Sequence, residues 1–314
     1  MELRPLGVLQ VGVVGLGCNN FGMAIDQDHT TSVVDAAIEA GVTYFDTAES
    51  YGKGLSEEFL GKALGSRRAS VQVATKWGHN MSLAPGERGG DPALIRRCLE
   101  ASLRRLGTDY VDHYQLHRPD PSTPQEETLG AQAELQAEGK ILEIGCTTFT
   151  AEELRDAAQA ATARSVAPYA SIQNHFSLLT RAPQTDGVLD ACAELNVAFV
   201  PYFPLESGLL TGKYRAGAEL PEGSRLKKWG SRAASFIDED KLARVVELTT
   251  WAEAHGHTLL ELAMSWLVTA PSVGTVIAGC TSPEQVRSNT AAALAWTMTP
   301  AERAEAATVA AGSH

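Results

Sequence analysis

The chain has 314 residues, 44% of them hydrophobic and 20% charged, with a formal net charge of −12 and a pI near 5.2. That length accommodates one large domain with a sizeable buried core. An acidic chain repels phosphate backbones and anionic bilayers, so neither nucleic acid nor membrane is an expected partner. The five cysteines, Cys18, Cys98, Cys146, Cys192 and Cys280, lie far apart and form no C-x-x-C pair. This argues against a disulfide framework and for a reducing, cytoplasmic setting. No His/Cys/carboxylate cluster has ligand spacing, so no metal is expected.

The opening MELRPLGVLQVGVVGLG places Arg4 before an apolar run, as a secretion signal would. Glycines interrupt it and no small-residue cleavage site follows, so it reads as strands. No apolar run approaches the roughly 18 residues of a membrane helix. Strand-like runs then follow at 11–17, 42–46, 71–76, 110–117, 141–146, 169–174, 197–202 and 274–279. Helical patterns lie near 29–40, 55–65, 92–106, 124–138, 150–163, 184–195, 238–270 and 282–294. Asp91-Pro92, Thr123-Pro124 and Ser282-Pro283 put a capping residue before proline, and Gly41, Gly107 and Gly139 follow helices. Eight strand–helix units predict a single-domain parallel (β/α)₈ barrel over residues 1–314, with an N-terminal strand extension. A doubly wound open sheet is the rival, but it does not account for eight similar units without a break. The loops 77–91 and 203–236 are long and would border the active site, the first being glycine-rich and open to movement.

Barrel enzymes build their sites at the C-terminal ends of strands. Those ends carry Asp46, with Tyr51 just beyond it, then Lys76, then His117. A phenol is a proton donor, and a nearby ammonium would lower its pKa. Asp46 would orient Lys76, and His117 would direct an N–H at a substrate oxygen. Such a set polarises a carbonyl and protonates its oxygen; the hydride that completes a reduction must come from a nicotinamide cofactor. Taken singly, Asp46 serves equally as a cap, Lys76 as a salt-bridge partner and His117 as a structural imidazole; their joint placement favours chemistry. His113, in the same strand, reads as structural and Glu49 as solvated.

FDTAESYG, ATKWG, YQLHRPD, SIQNHFSLL, PLESGLLTGKY and AGCTSPEQVRSN resemble, in order and nearly end to end, the motifs of the aldo-keto reductase superfamily. The nearest likeness is to its bacterial and potassium-channel β-subunit-like branch. The resemblance implies a (β/α)₈ barrel and NAD(P)H-dependent reduction of an aldehyde or ketone. Tyr51 would be the acid, Lys76 and Asp46 its tuning pair and His117 the orienting donor. It also implies a substrate pocket bordered by Phe21, Met23 and Trp77, although such residues equally serve as core.

The same resemblance implies a cofactor cradle. Gln173 would hold the nicotinamide carboxamide, beside Asn174, and Tyr202 would stack on the ring. Leu205, Ser207, Gly208, Leu209, Thr211, Gly212 and Lys213 would receive the pyrophosphate. Gly279, Thr281, Gln285 and Asn289 would lie toward the adenosine end, where Ser282 and Gln285 fit a capping box and a helix N-terminus attracts anions. GLGCNNFG (15–22) mimics a dinucleotide fingerprint, but no helix opens at its glycines.

Two departures stand out. Thr147-Thr148 replaces a usual Ser-Asn, so hydroxyls would have to supply part of the carboxamide grip. Thr281 stands where many relatives carry a cation, which loosens the implied preference for NADPH over NADH. Arg225, Lys227, Lys228 and Arg232 would compensate if their loop folded over the cofactor. The alternative to a reductase is a regulatory subunit that binds the cofactor as a redox sensor. A monomer and a homo-oligomer are both compatible with the sequence.

Overall fold

The computed structural model describes residues 1–81, 83–214, 227 and 239–312. An antiparallel hairpin, β1 (Leu3–Leu6) and β2 (Leu9–Gly12), precedes eight parallel strands. These are β3 (Val14–Gly17), β4 (Tyr44–Asp46), β5 (Gln72–Trp77), β6 (Val111–Leu116), β7 (Ile141–Thr147), β8 (Ser171–His175), β9 (Ala198–Tyr202) and β10 (Val276–Gly279). They pair in the order β10-β3-β4-β5-β6-β7-β8-β9. Across the remaining seam the Phe199 N–H donates to the Ser272 carbonyl (2.7 Å), and the Gly274 N–H donates to the Phe199 carbonyl (2.9 Å). The result is the expected (β/α)₈ barrel. The run 11–17 is not one strand: residues up to Gly12 pair with β1, and those from Val14 pair with β4 and β10. Hydropathy cannot separate two short strands that serve different sheets.

The surrounding helices are α1 (Gln27–Glu39), α2 (Leu55–Leu64), α3 (Pro92–Leu106), α4 (Gln125–Ala137), α5 (Ala151–Arg164), α6 (Ala182–Thr185), α7 (Val188–Leu195), α8 (Glu239–Ala254), α9 (Leu259–Val268), α10 (Pro283–Leu294) and α11 (Pro300–Ala311). Asp91 and Ser282 cap α3 and α10 as expected, each worth ~1 kcal/mol. Thr123 does not cap α4. Pro124 takes that position, and the Thr123 hydroxyl donates to Asp120 Oδ2 at 2.6 Å. The pattern over 238–270 breaks in two, because Gly256 turns left-handed (φ +79°) and Thr258 opens a new capping box with Glu261. Helix α11 has no counterpart among the predicted elements. Among the described residues no helix is long and apolar enough to cross a membrane.

Successive residues of a strand face opposite sides, so each barrel strand feeds two layers. One side packs against the helices, where Phe176 meets Trp266 (5.1 Å between centroids) and Phe199 (5.5 Å). The other faces the barrel axis. There Leu6, Leu9 and Val11 of the hairpin meet Tyr44, Ala74, Val200 and Ile277 and plug the N-terminal end. Arg4 Nη1 pins the hairpin by donating to the Val268 and Val273 carbonyls. Above the plug, His113 lies between the Tyr44 hydroxyl (2.8 Å) and Ser171 Oγ (3.1 Å). A Cβ on Gly145 would come within 2.5 Å of that imidazole, which explains the glycine. Burial, aided by the Lys76 charge, lowers the His113 pKa to about 3, so it stays neutral, as a structural histidine should.

Candidate active site

The top axial layer is polar. Asp46 (β4), Lys76 (β5), Gln115 (β6) and Gln173 (β8) share the inward parity of their strands and are all buried. Lys76 Nζ donates to Asp46 Oδ2 (2.5 Å), to the Thr47 carbonyl (2.9 Å) and to the Tyr51 hydroxyl (3.4 Å). Asp46 Oδ1 accepts from Gln115 Nε2 (3.1 Å) and Gln173 Nε2 (2.8 Å). Tyr51 stands outside the strands, in a short turn where Gly52, Lys53 and Gly54 are all left-handed. Its ring meets His117 edge-on, 5.8 Å between centroids, and His79 meets His117 from another side at 4.8 Å. The four residues named from strand ends therefore form one cluster.

Their charge states follow from what surrounds them. Burial pushes the Lys76 ammonium down, but Asp46 and Tyr51 together hold it above its ordinary value, so it remains charged. Burial raises the Tyr51 phenol, and Lys76 only partly pulls it back. The expected net lowering does not occur, because burial outweighs the pull of Lys76 and the Asp46 charge adds to the rise. Tyr51 thus keeps its proton at neutral pH. Burial, Lys76, His79 and Arg118 hold His117 well below the usual imidazole range, and its Nδ1 is buried without a partner. The cluster combines a protonated phenol, a fixed ammonium and a neutral imidazole around a largely buried, hydroxyl-bearing ring. It can donate a proton to an oxygen while spreading the charge that remains.

Several other placements differ from expectation. Trp77 is fully buried, stacks on Tyr114 (4.3 Å) and donates to the Gly89 carbonyl, so it belongs to the helix-side core, not to a pocket wall. Strand parity requires this once Lys76 faces inward. Phe21 is likewise core, whereas Met23 is 68% exposed. Glu49 is not solvated: it is half-buried, accepts from the Gly78 N–H (3.0 Å), and burial raises its pKa. Trp77 and Asp120, which accepts from the Gly90 N–H, tie down the far end of the 77–91 loop.

Around the rim, the Thr147 hydroxyl donates to the His117 carbonyl and Thr148 Oγ1 to the Thr147 carbonyl. Both hydroxyls are therefore spent on the backbone and do not replace the missing amide. Gln173 is committed to Asp46. Asn174 Nδ2 donates to the Phe149 carbonyl (3.0 Å), leaving its buried Oδ1 without a partner. Leu205 and Ser207 are partly buried; Leu209 is core, so only its backbone remains for a ligand. Thr211 Oγ1 donates to the Gly208 carbonyl, and Gly212 and Lys213 are exposed. Gly208 is left-handed (φ +99°), and a Cβ there would lie 2.8 Å from Lys213 Nζ. At Gly279 a Cβ would lie 2.8 Å from Asn19 Oδ1. The Gln285 side chain accepts from the Thr281 N–H (2.8 Å), one residue earlier than the expected capping box. Asn289 is buried and donates to Cys280 Sγ, so it faces the core. Of the basic run, only Lys227 lies within the described residues; Arg225, Lys228 and Arg232, and most of the 203–236 loop, lie outside them.

The sequence profile of the Aldo/keto reductase family matches residues 13–309. The chain belongs to this family. It is 32% identical over 299 residues to a probable voltage-gated potassium channel subunit beta of Arabidopsis thaliana, covering 92% of this chain and 90% of that one. It is 30% identical over 302 residues to the L-glyceraldehyde 3-phosphate reductase of Escherichia coli K12 (92% and 86% covered). It is 33% identical over 267 residues to a probable aldo-keto reductase 1 of Glycine max (82% and 74% covered). As an aldo-keto reductase it falls among oxidoreductases that act on small molecules with nicotinamide cofactors.

Two groups near the rim escaped the sequence reading. Gln115, two residues before His117, shares Asp46 with Gln173, and alternation along β6 pointed to it. His175 pairs with Glu206 across 31 residues, a contact that no local pattern signals.

Proposed function

We propose that this single-domain chain is a cytoplasmic carbonyl reductase that uses NADPH, with NADH as a weaker substitute. The observation that carries the reading is Lys76 Nζ held between Asp46 and the Tyr51 hydroxyl, with His117 against the same ring. Tyr202 and the 205–213 turn would hold the nicotinamide and pyrophosphate, while Gly279, Thr281 and Gln285 would face the adenosine end. The unpartnered Asn174 Oδ1 and the left-handed Gly208 backbone suit a ligand that carries an amide and phosphates. Bound nicotinamide supplies the hydride that no side chain carries. His117 directs the carbonyl oxygen toward Tyr51. Tyr51 then gives its proton to that oxygen, and Lys76 stabilises the tyrosinate until solvent returns a proton. A positioned acid of this kind contributes about 10²–10⁴-fold. Five cysteines, odd in number, far apart in the sequence and without a C-x-x-C pair, support the reducing setting.

The substrate is a small aldehyde or ketone. The relative named L-glyceraldehyde 3-phosphate reductase makes a small polar aldehyde a reasonable first choice, beside an activated aromatic aldehyde. The relatives named as channel β subunits favour a second reading, in which the chain binds cofactor as a redox sensor. Following the oxidation of NADPH and NADH in parallel separates the two. Multiple turnovers support the reductase; tight binding without turnover supports the sensor.

A further inference from the structure

Beyond β9 the chain makes an unusual turn. Phe203 (φ +52°), Glu206 (φ +46°) and Ser207 (φ +55°) are all left-handed and none is glycine. Each such residue costs about 1–3 kcal/mol unless its surroundings hold it. Besides the backbone bonds from the Glu206, Gly208 and Leu210 N–H groups to the Phe203 and Leu205 carbonyls, the Glu206 side chain holds this turn. It folds beneath the turn, only 7% exposed, and Oε1 accepts from His175 Nε2 (2.8 Å) and from Ser177 Oγ (2.6 Å). Ser177 Oγ is itself fixed, because it accepts from the Leu179 and Thr180 N–H groups. His175 in turn lies nearly parallel to Tyr202 (18°, 5.6 Å), and Phe203 closes the triangle edge-on to both rings. Burial pushes the Glu206 carboxyl up, but the hydrogen bonds from His175 and Ser177 and the attraction of His175 outweigh it, so it remains an ionised acceptor.

We propose that Glu206 is a positioning residue which, through His175 and Ser177, holds the Tyr202 ring and the 205–213 turn in the form that receives the nicotinamide cofactor. The inference rests on the reductase reading above. The carboxylate adds a side-chain link between two parts of the cradle, the ring at the end of β9 and the turn that follows it, beyond the backbone bond from the Glu206 N–H to the Phe203 carbonyl. Preordering them removes a cost that the ligand would otherwise meet on binding. The effect belongs to cofactor affinity, because neither Glu206 nor His175 hydrogen-bonds to the Lys76 cluster.

The test uses the full chain and four proteins: wild type, Glu206→Gln, His175→Ala and His175→Gln. NADPH affinity is read by protein fluorescence, kcat at saturating cofactor by absorbance, and folding by thermal midpoint. Glu206→Gln and His175→Ala should weaken NADPH about tenfold, the worth of one hydrogen bond to a charged group, with kcat at saturation nearly unchanged. His175→Gln keeps a donor for the carboxylate and should restore most of the affinity. Wild-type affinity in both weakened variants overturns the proposal. So does an equal loss of affinity, kcat and thermal midpoint in His175→Ala and His175→Gln alike, which would mark a merely structural pair. A wild-type protein that binds neither NADPH nor NADH sinks the reductase reading itself, an outcome the variants cannot mimic.

Discussion

Asp46, Lys76, Gln115 and Gln173 stand on four strands inside the barrel, whereas residues 203–213 lie beyond the strand ends in left-handed turns. In the first region strand parity sets every side-chain direction, and each polar atom of Asp46 has more than one partner or a short one. In the second a few side-chain bonds hold a backbone that would not choose its own conformation. The difference teaches where each kind of precision comes from. In the proposed reading, the groups that tune Tyr51 sit on sheet geometry, while cofactor reception sits on a turn that can be tuned without disturbing the sheet.

This comparison can be broken or sharpened by substitution. The largest effect is expected at Tyr51. Tyr51→Phe should lower turnover about 10²–10⁴-fold while leaving NADPH affinity and the thermal midpoint intact, since its hydroxyl makes only one long bond at 3.4 Å. Unchanged turnover would remove the phenol from the reaction. Lys76→Met should cost both activity and about 3–5 kcal/mol of folding stability in urea titration, because Asp46 would be left buried without its cation. A loss confined to activity would mean that the cluster is less rigid than its bonds imply.

The next effect is acid lability. His113 and His117 are both depressed in the folded chain, so the unfolded chain binds protons first as pH falls below the usual imidazole value of 6.5. Their contribution to stability is present above that pH and is lost as pH falls below it, for His113 down to about 3, by at most ~1.4 kcal/mol per pH unit for each group. His113→Gln should flatten a plot of unfolding free energy against pH. The smallest effect belongs to the rim. Thr281→Arg should raise the NADPH-over-NADH preference about tenfold, since arginine can pair with a 2′-phosphate. Its folding should not change, as Gln285 already satisfies the Thr281 N–H.

The barrel was legible because a strand-like run followed by a helical pattern recurs eight times, and each repeat checks the others. Errors fell where a local pattern carries two meanings. Residues 11–17 serve two sheets, Gly256 ends a helix inside a continuous apolar pattern, and Thr299 with Glu302 is a capping box that opens α11 unread. Asp46, Lys76 and His117 were legible because position on a strand end fixes direction. Trp77 was misplaced although the same parity rule, applied one residue past Lys76, sends it outward. The family resemblance pointed to Thr147, Leu209 and Asn289 at the rim, and their side chains turn to the backbone or the core. The partnership of His175 with Glu206 depends on a turn whose shape no propensity predicts.

The seam of the barrel bears on how the chain must fold. Strand β3 pairs with β10, Arg4 bonds carbonyls 264 and 269 residues away, and Asn20 bonds one 260 residues away. Nearly the whole sequence must therefore exist before the first barrel strand gains its second neighbour. Until then β3 is an open edge, able to pair wrongly with other chains. Closure across so long a loop carries a large entropic barrier. The ring should thus be completed last, by the arrival of β10, with the slowest refolding phase reporting the joining of the two chain ends.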